Sequence, residues 1–233
     1  MKVFVKGIAF DRMDAAVAAE TIISLVGSKK SAYVVTPNTE ILARAKNKAF
    51  YNVLSGADVV LCDGIGVCAL ALMRGKILKR ATGIDTAQIL LKKCAEHEVS
   101  VFLYGAKEEI LKKARQNLEL CYQGLRIVCA CNGFVSEELA VKLINDSCAK
   151  IVFVCTSSPK QEFFAQKAAM EDGGRVYLAL GGVLDIFSGQ KKRAPKILQR
   201  LGLEWSYRFI CEPVRIKRFI KNVFGTKNLP NNS

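Results

Sequence analysis

Short apolar runs recur along the chain as KVFV, AYVVT, DVVLC, VSVFLYG, LRIVCA, KIVFVC and RVYLALGG. Between several of them lie 14–26, 39–54, 85–95 and 107–120, where apolar positions return every three or four residues. The first pattern predicts buried strands and the second amphipathic helices. Strands that alternate with helices, and that read as continuous apolar runs, predict an α/β fold: a Rossmann-like, mostly parallel sheet with helices on both faces. Gly and Pro fall after the strands, at Thr36-Pro37-Asn38, Asp63-Gly64, Gly105, Ser158-Pro159 and Gly181-Gly182. Those are the loops that carry ligands in such a sheet.

Composition adds a core and an asymmetry. Of the 233 residues 51% are hydrophobic, and the net charge is +14. Residues 191–233 hold 11 Lys/Arg against 2 acidic residues, so the basicity is concentrated in a tail. The nine cysteines form no CxxC pair, and CAC at 129–131 has no histidine nearby, which points to reduced thiols rather than to a zinc site. His97 is the one histidine, in a charged stretch at a predicted helix end, so acid–base chemistry falls to carboxylates. The amino terminus lacks the apolar core of a signal peptide, and the longest apolar region, 57–73, is interrupted by Asp63 and two glycines. These features lead us to expect a cytoplasmic protein.

GxGxxG and GxxxxGK[ST] are both absent, which removes the best support for a nicotinamide enzyme or a P-loop NTPase. Asp63 follows the predicted strand 57–61 and precedes the apolar run 67–73. Two roles are open to it: N-cap of the next helix, or a reactive carboxylate at a strand's carboxyl end. Thr36 and Asn38 offer a hydroxyl and an amide, or form an ordinary Pro-containing turn. Gln161, within Pro159-Lys160-Gln161-Glu162, opens a helix whose start can face a phosphate or a sugar, although the same residues are normal helix-start chemistry. Gly181-Gly182 permits close backbone approach to a ligand or simply makes a turn.

Four segments, TPNTEIL (36–42), DGIGV (63–67), SPKQE (158–162) and GGVLDIFSGQKKRAPKILQRLGLEWSYRFICEPVRIKRF (181–219), change this picture when taken together. In this order and spacing the chain resembles the WecG/TagA/CpsF family of bacterial glycosyltransferases, from about Val3 to Phe219. It departs from the family pattern at Cys155-Thr156-Ser157-Ser158, where an apolar-Gly-x run usually precedes the Pro, and at Leu184, where a Phe usually precedes the Asp. The resemblance implies that Asp63 is the general base, assisted by Thr36, Asn38 and Gln161. It also implies substrate contacts from Gly64, Lys160, Gly181, Gly182 and Asp185, and a diphosphate held by Arg193, Arg208, Arg215 and Arg218, since guanidinium groups pair with phosphate oxygens bidentately.

The expected activity is inverting, metal-independent transfer of N-acetylmannosamine or a related sugar. It would run from a UDP-sugar donor to a polyprenyl-diphosphate-linked N-acetylglucosamine, with no cofactor, in surface-polymer synthesis of the teichoic acid kind. Residues 1–195 are expected to form the catalytic domain and 196–233 a basic helical appendage. In the appendage, Pro213 opens a predicted helix to about Phe224 with one apolar stripe and a cationic face, which either packs on the core with its charges solvated or lies on an anionic membrane surface, the reading that the resemblance favours. The protein would then sit on the inner face of the cell membrane; whether it forms a homo-oligomer is open. A non-catalytic nucleotide-sugar-binding regulator and a basic nucleic-acid-binding protein are the rivals, and the tail carries no recognised nucleic-acid motif.

Overall fold

A computed structural model describes residues 2–171 and 173–200, together with Glu204 and Tyr207. The predicted helix at 213–224 and Arg208, Arg215 and Arg218 lie outside the described residues.

The chain opens with an antiparallel hairpin, β1 (Lys2–Val5) and β2 (Ile8–Asp11), joined by Lys6 and Gly7, both at positive φ. Two left-handed residues in a tight turn match the twist of the flanking strands. KVFV is therefore a hairpin strand and not a member of the parallel sheet. There follow α1 (Ala15–Leu25), β3 (Ala32–Val35), α2 (Thr39–Arg44), α3 (Lys48–Ser55), β4 (Val59–Val60), α4 (Ile65–Leu72) and α5 (Gly83–Glu96). The remainder runs β5 (Val101–Gly105), α6 (Glu108–Cys121), β6 (Ile127–Cys131), α7 (Glu137–Asp146), β7 (Ile151–Cys155), α8 (Lys160–Glu171), β8 (Val176–Ala179), α9 (Val183–Phe187) and α10 (Lys196–Arg200).

Among the described residues, six strands form one parallel sheet in the order β4-β3-β8-β7-β5-β6. Side chains alternate across it as strand geometry requires. Tyr33, Val35, Phe102, Tyr104, Val152, Val154 and Tyr177 face one core with residues of α3, α4, α7, α8 and the hairpin. Val34, Val101, Leu103, Ile151, Phe153 and Leu178 face a second core with residues of α1, α5, α6 and α9. Each fully buried Phe or Leu contributes about 1.5–3 kcal/mol relative to exposure, so both faces resist separation from their helices.

Two expectations are refined. The helical stretch 39–54 is two helices, because the Asn47 side chain accepts the Phe50 N–H at 3.1 Å and starts a new helix after Arg44. The strand expected at 57–61 narrows to Val59–Val60 at the sheet edge. There the Val60 N–H donates to Asp11 Oδ2 at 2.9 Å. At the opposite edge Arg115 Nη2 donates to the Ile127 carbonyl at 3.0 Å.

Candidate active site

All six parallel strands end on the same side of the sheet, and a cleft of about 540 Å³ lies across those ends. Its lining includes Thr36 and Asn38 after β3, Asp63 after β4, Ala106 and Lys107 after β5, and Gly133 and Phe134 after β6. Thr156 to Ser158 after β7 and Leu180 to Gly182 after β8 complete the floor. This is where open parallel sheets bind ligands, and the volume suits a molecule of nucleotide-sugar size.

One wall joins the Asp63 turn to the Thr36–Asn38 loop. The Asp63 N–H donates to the Pro37 carbonyl at 3.4 Å. Helix α4 can start this close to α2 because its second residue is Gly66: a Cβ there would stand 2.6 Å from Thr39 Cγ2. Asn38 caps α2, its Oδ1 accepting the Ile41 N–H at 3.0 Å. Buried Thr36 donates its hydroxyl to the Ala179 carbonyl at 3.1 Å, so β3 and β8 end in register beneath the cleft. Helix α4 has Gly64 as N-cap and no side-chain cap. The N-cap position is thus taken by Gly64 and not by Asp63, and Asp63, half-buried, lines the cleft. Gly64, at φ +110°, makes the turn beside it without being part of the lining.

The opposite wall is a hydrogen-bonded network. Gln161 is only 2% exposed; its Oε1 accepts the Gly181 N–H at 2.7 Å and its Nε2 donates to Glu162 Oε1 at 2.9 Å. Glu162 is 1% exposed, and Oε2 has no hydrogen-bond partner among the described residues. Burial pushes its carboxyl above the ordinary range, opposed first by the Gln161 amide. Asp185, in the first turn of α9, lines the cleft with Lys191 Nζ 3.5 Å from Oδ2. Exposed Lys160, the first residue of α8, lines it as well.

The structure thus brings Thr36, Asn38, Asp63, Lys160, Gln161, Gly181, Gly182 and Asp185 to one cleft. Arg193 is not among the lining residues: its Nη2 donates to Asp85 Oδ1 at 2.6 Å, and its Nε lies 3.7 Å from Glu204 Oε1. It fastens the segment after α9 to the first turn of α5.

Sequence reasoning missed Arg44, which lines the cleft from α2. Its guanidinium donates to the Ser158 carbonyl and, at 2.8 Å, to Glu40 Oε1, so it bridges the two walls. The available signal was its i, i+4 spacing from Glu40 on the helix that TPNTEIL begins. The β5 tip was also underestimated. At Gly105, φ is +134° and a Cβ would lie 2.2 Å from the Cys155 carbonyl oxygen, so only glycine lets β5 and β7 end side by side there. Just beyond it, α6 starts at the cleft without a side-chain cap, leaving first-turn N–H groups for solvent or an anion.

The profile of the Glycosyl transferase WecG/TagA/CpsF family matches residues 3–226. A protein of Bacillus spizizenii named N-acetylglucosaminyldiphosphoundecaprenol N-acetyl-beta-D-mannosaminyltransferase is 37% identical over 194 residues, covering 82% of this chain and 76% of the relative. A Bacillus subtilis protein of the same name is 34% identical over 198 residues, covering 84% and 77%. With the sequence match spanning nearly the whole chain and the cleft at the strand ends, the protein belongs to the WecG/TagA/CpsF family and is a glycosyltransferase.

Proposed function

We propose that this cleft transfers N-acetylmannosamine, or a closely related sugar, from a UDP-sugar to a polyprenyl-diphosphate-linked N-acetylglucosamine, with inversion and without a metal ion. The observation that carries the reading is the junction of the Asp63 turn with the Thr36–Asn38 loop, which brings Asp63 and Asn38 to one wall of the cleft. The names of the two Bacillus relatives supply the sugar and the lipid-linked acceptor.

In this mechanism Asp63 accepts the proton of the acceptor hydroxyl as its oxygen attacks the anomeric carbon from the face opposite UDP. The bond from that carbon to the diphosphate breaks and UDP leaves. General-base catalysis of this kind contributes about 10²–10⁴ in rate. Asn38 keeps its amide nitrogen for the sugar while its oxygen caps α2. Thr36 and Gln161 act by position, one fixing the strand ends and the other the Gly181-Gly182 loop.

Charge on the departing diphosphate is met by cationic side chains and helix-start N–H groups. Lys107 and Lys160, which line the cleft, supply cations for it, and the uncapped start of α6 adds backbone donors. Arg208, Arg215 and Arg218 of the appendage, residues 196–233, are the further cations that this reading assigns to the diphosphate, and Arg193 ties the segment before the appendage to α5. Chemistry by these groups matches a sequence with no DxD motif and one histidine.

The test is incubation of the purified full chain with a panel of UDP-sugars and a short-chain lipid-diphosphate N-acetylglucosamine, with products identified by mass. One added N-acetylhexosamine from UDP-N-acetylmannosamine, at the same rate in excess EDTA, is the expected result. No transfer from any UDP-sugar would sink the donor assignment, and loss of activity in EDTA restored by Mg²⁺ would sink metal independence.

A further inference from the structure

Helix α4 reads IGVCALAL, without one polar side chain beyond a thiol. Helices that are apolar all round are normally enclosed. Here Val67 and Ala71 are buried, yet Ile65, Ala69 and Leu72 at i, i+4 and i+7 are exposed and continue into Met73. Residues 72–77 are six consecutive exposed positions, held at their far end by buried Leu78. Leu72 is 65%, Met73 82% and Ile77 64% exposed, and Arg74 and Lys76 stand between them. The apolar stripe begins two residues after Asp63 and ends at this tip, about 12 Å along the helix.

Three large apolar side chains on one protruding turn are unusual for a surface facing only water. The charges around them are of one sign: residues 64–84 contain Arg74, Lys76, Lys79 and Arg80 and no acidic residue. Lys79 pairs with Asp14 at 3.0 Å, an exposed contact that salt and solvent screen. Apolar side chains interleaved with cations match a bilayer surface, where the former enter the acyl boundary and the latter meet anionic headgroups.

We infer that the exposed face of α4 and its tip, Leu72 to Ile77, form a docking surface for the anionic membrane, separate from the basic tail. Seated there, α4 sets the Asp63 end of the cleft about one short helix from the headgroup plane. A diphosphate-linked sugar on a membrane-embedded polyprenyl chain then reaches the base without leaving the bilayer. Only this last consequence rests on the acceptor assigned under the proposed function; the docking itself does not.

The experiment uses the full chain and vesicles of phosphatidylcholine with or without phosphatidylglycerol. Replacing Leu72, Met73 and Ile77 together by Gln should weaken co-sedimentation with the anionic vesicles by about tenfold or more. The pair Arg74→Gln and Lys76→Gln should weaken it by about tenfold on anionic vesicles and leave any binding to neutral ones unchanged. Transfer to a water-soluble acceptor should stay at the wild-type rate in both, which also reports that the variants are folded. Transfer to a lipid-linked acceptor in vesicles should fall. Vesicle binding equal to wild type in both variants would overturn the surface. So would a change confined to sedimentation in solution, since the face would then be covered by a second copy of the chain. Wild-type binding through the tip without transfer from any UDP-sugar would uphold the surface while sinking the proposed function.

Discussion

The two walls of the cleft are built in opposite ways. Around Gln161 every polar contact is enclosed: Gly181, Gln161 and Glu162 form a chain of hydrogen bonds at 2.7 and 2.9 Å, with both side chains almost fully buried. Asp63 sits half-buried on a glycine-bounded turn before a helix without a side-chain cap. A residue buried in its own hydrogen-bond chain shapes the site, whereas one on a half-exposed turn that lines the cleft is open to a ligand. On the proposed mechanism this difference separates positioning from reaction, although sequence alone sets Asp63 after a strand and Gln161 at a helix start without ranking them.

The contrast is broken most sharply at Asp63. Asp63→Asn should lower turnover by about 10²-fold or more while leaving UDP-sugar affinity and the melting temperature near wild type. Near wild-type turnover would remove this residue from the chemistry. Gln161→Ala should act on both folding and function, because it strips the Gly181 N–H and Glu162 Oε1 of their partner inside the protein. We expect a stability loss of about 1–3 kcal/mol by urea unfolding, with the transfer deficit lying chiefly in KM. A variant with intact stability and a pure kcat defect would move Gln161 to the reacting side of the comparison.

The smallest effect concerns Glu162. Burial raises its pKa above the ordinary 4.5 in the folded chain, so folding favours the protonated form. Below the unfolded-state value both states are protonated and nothing is lost; as pH rises through the folded value, the buried charge increasingly destabilises the native state. Glu162→Gln carries no charge and can still accept from the Gln161 amide. Its melting temperature should therefore match wild type near about pH 4 and exceed it by a few degrees near neutrality. A gap of the same size at every pH would show that the carboxylate is not what the burial penalises.

The layered architecture was legible because continuous apolar strands can be buried only between two helix layers, and the strand-end punctuation marked the ligand side. The hairpin was not, since KVFV has the same composition as a parallel strand and its partner IAFD is too short to stand out. Asp63 was readable as special from its place between strand and glycines. Its role as cap or reactant was not, because that turns on whether Gly64 or the carboxylate takes the N-cap position. Arg44 escaped notice for the opposite reason: an arginine four residues from a glutamate looks like a solvated helix pair. Only the fold brings the Ser158 carbonyl to it from 114 positions away.

The Asp11 and Arg115 side chains at the two borders of the sheet bear on how the protein behaves at high concentration. A strand border normally offers free N–H and C=O groups on which another polypeptide can continue the ladder, the route to runaway fibrous association. Here a carboxylate occupies the Val60 N–H at one border and a guanidinium the Ile127 carbonyl at the other. Neutralising either side chain should raise light scattering as the protein is concentrated, relative to the unaltered chain, even where the fold and the cleft remain intact.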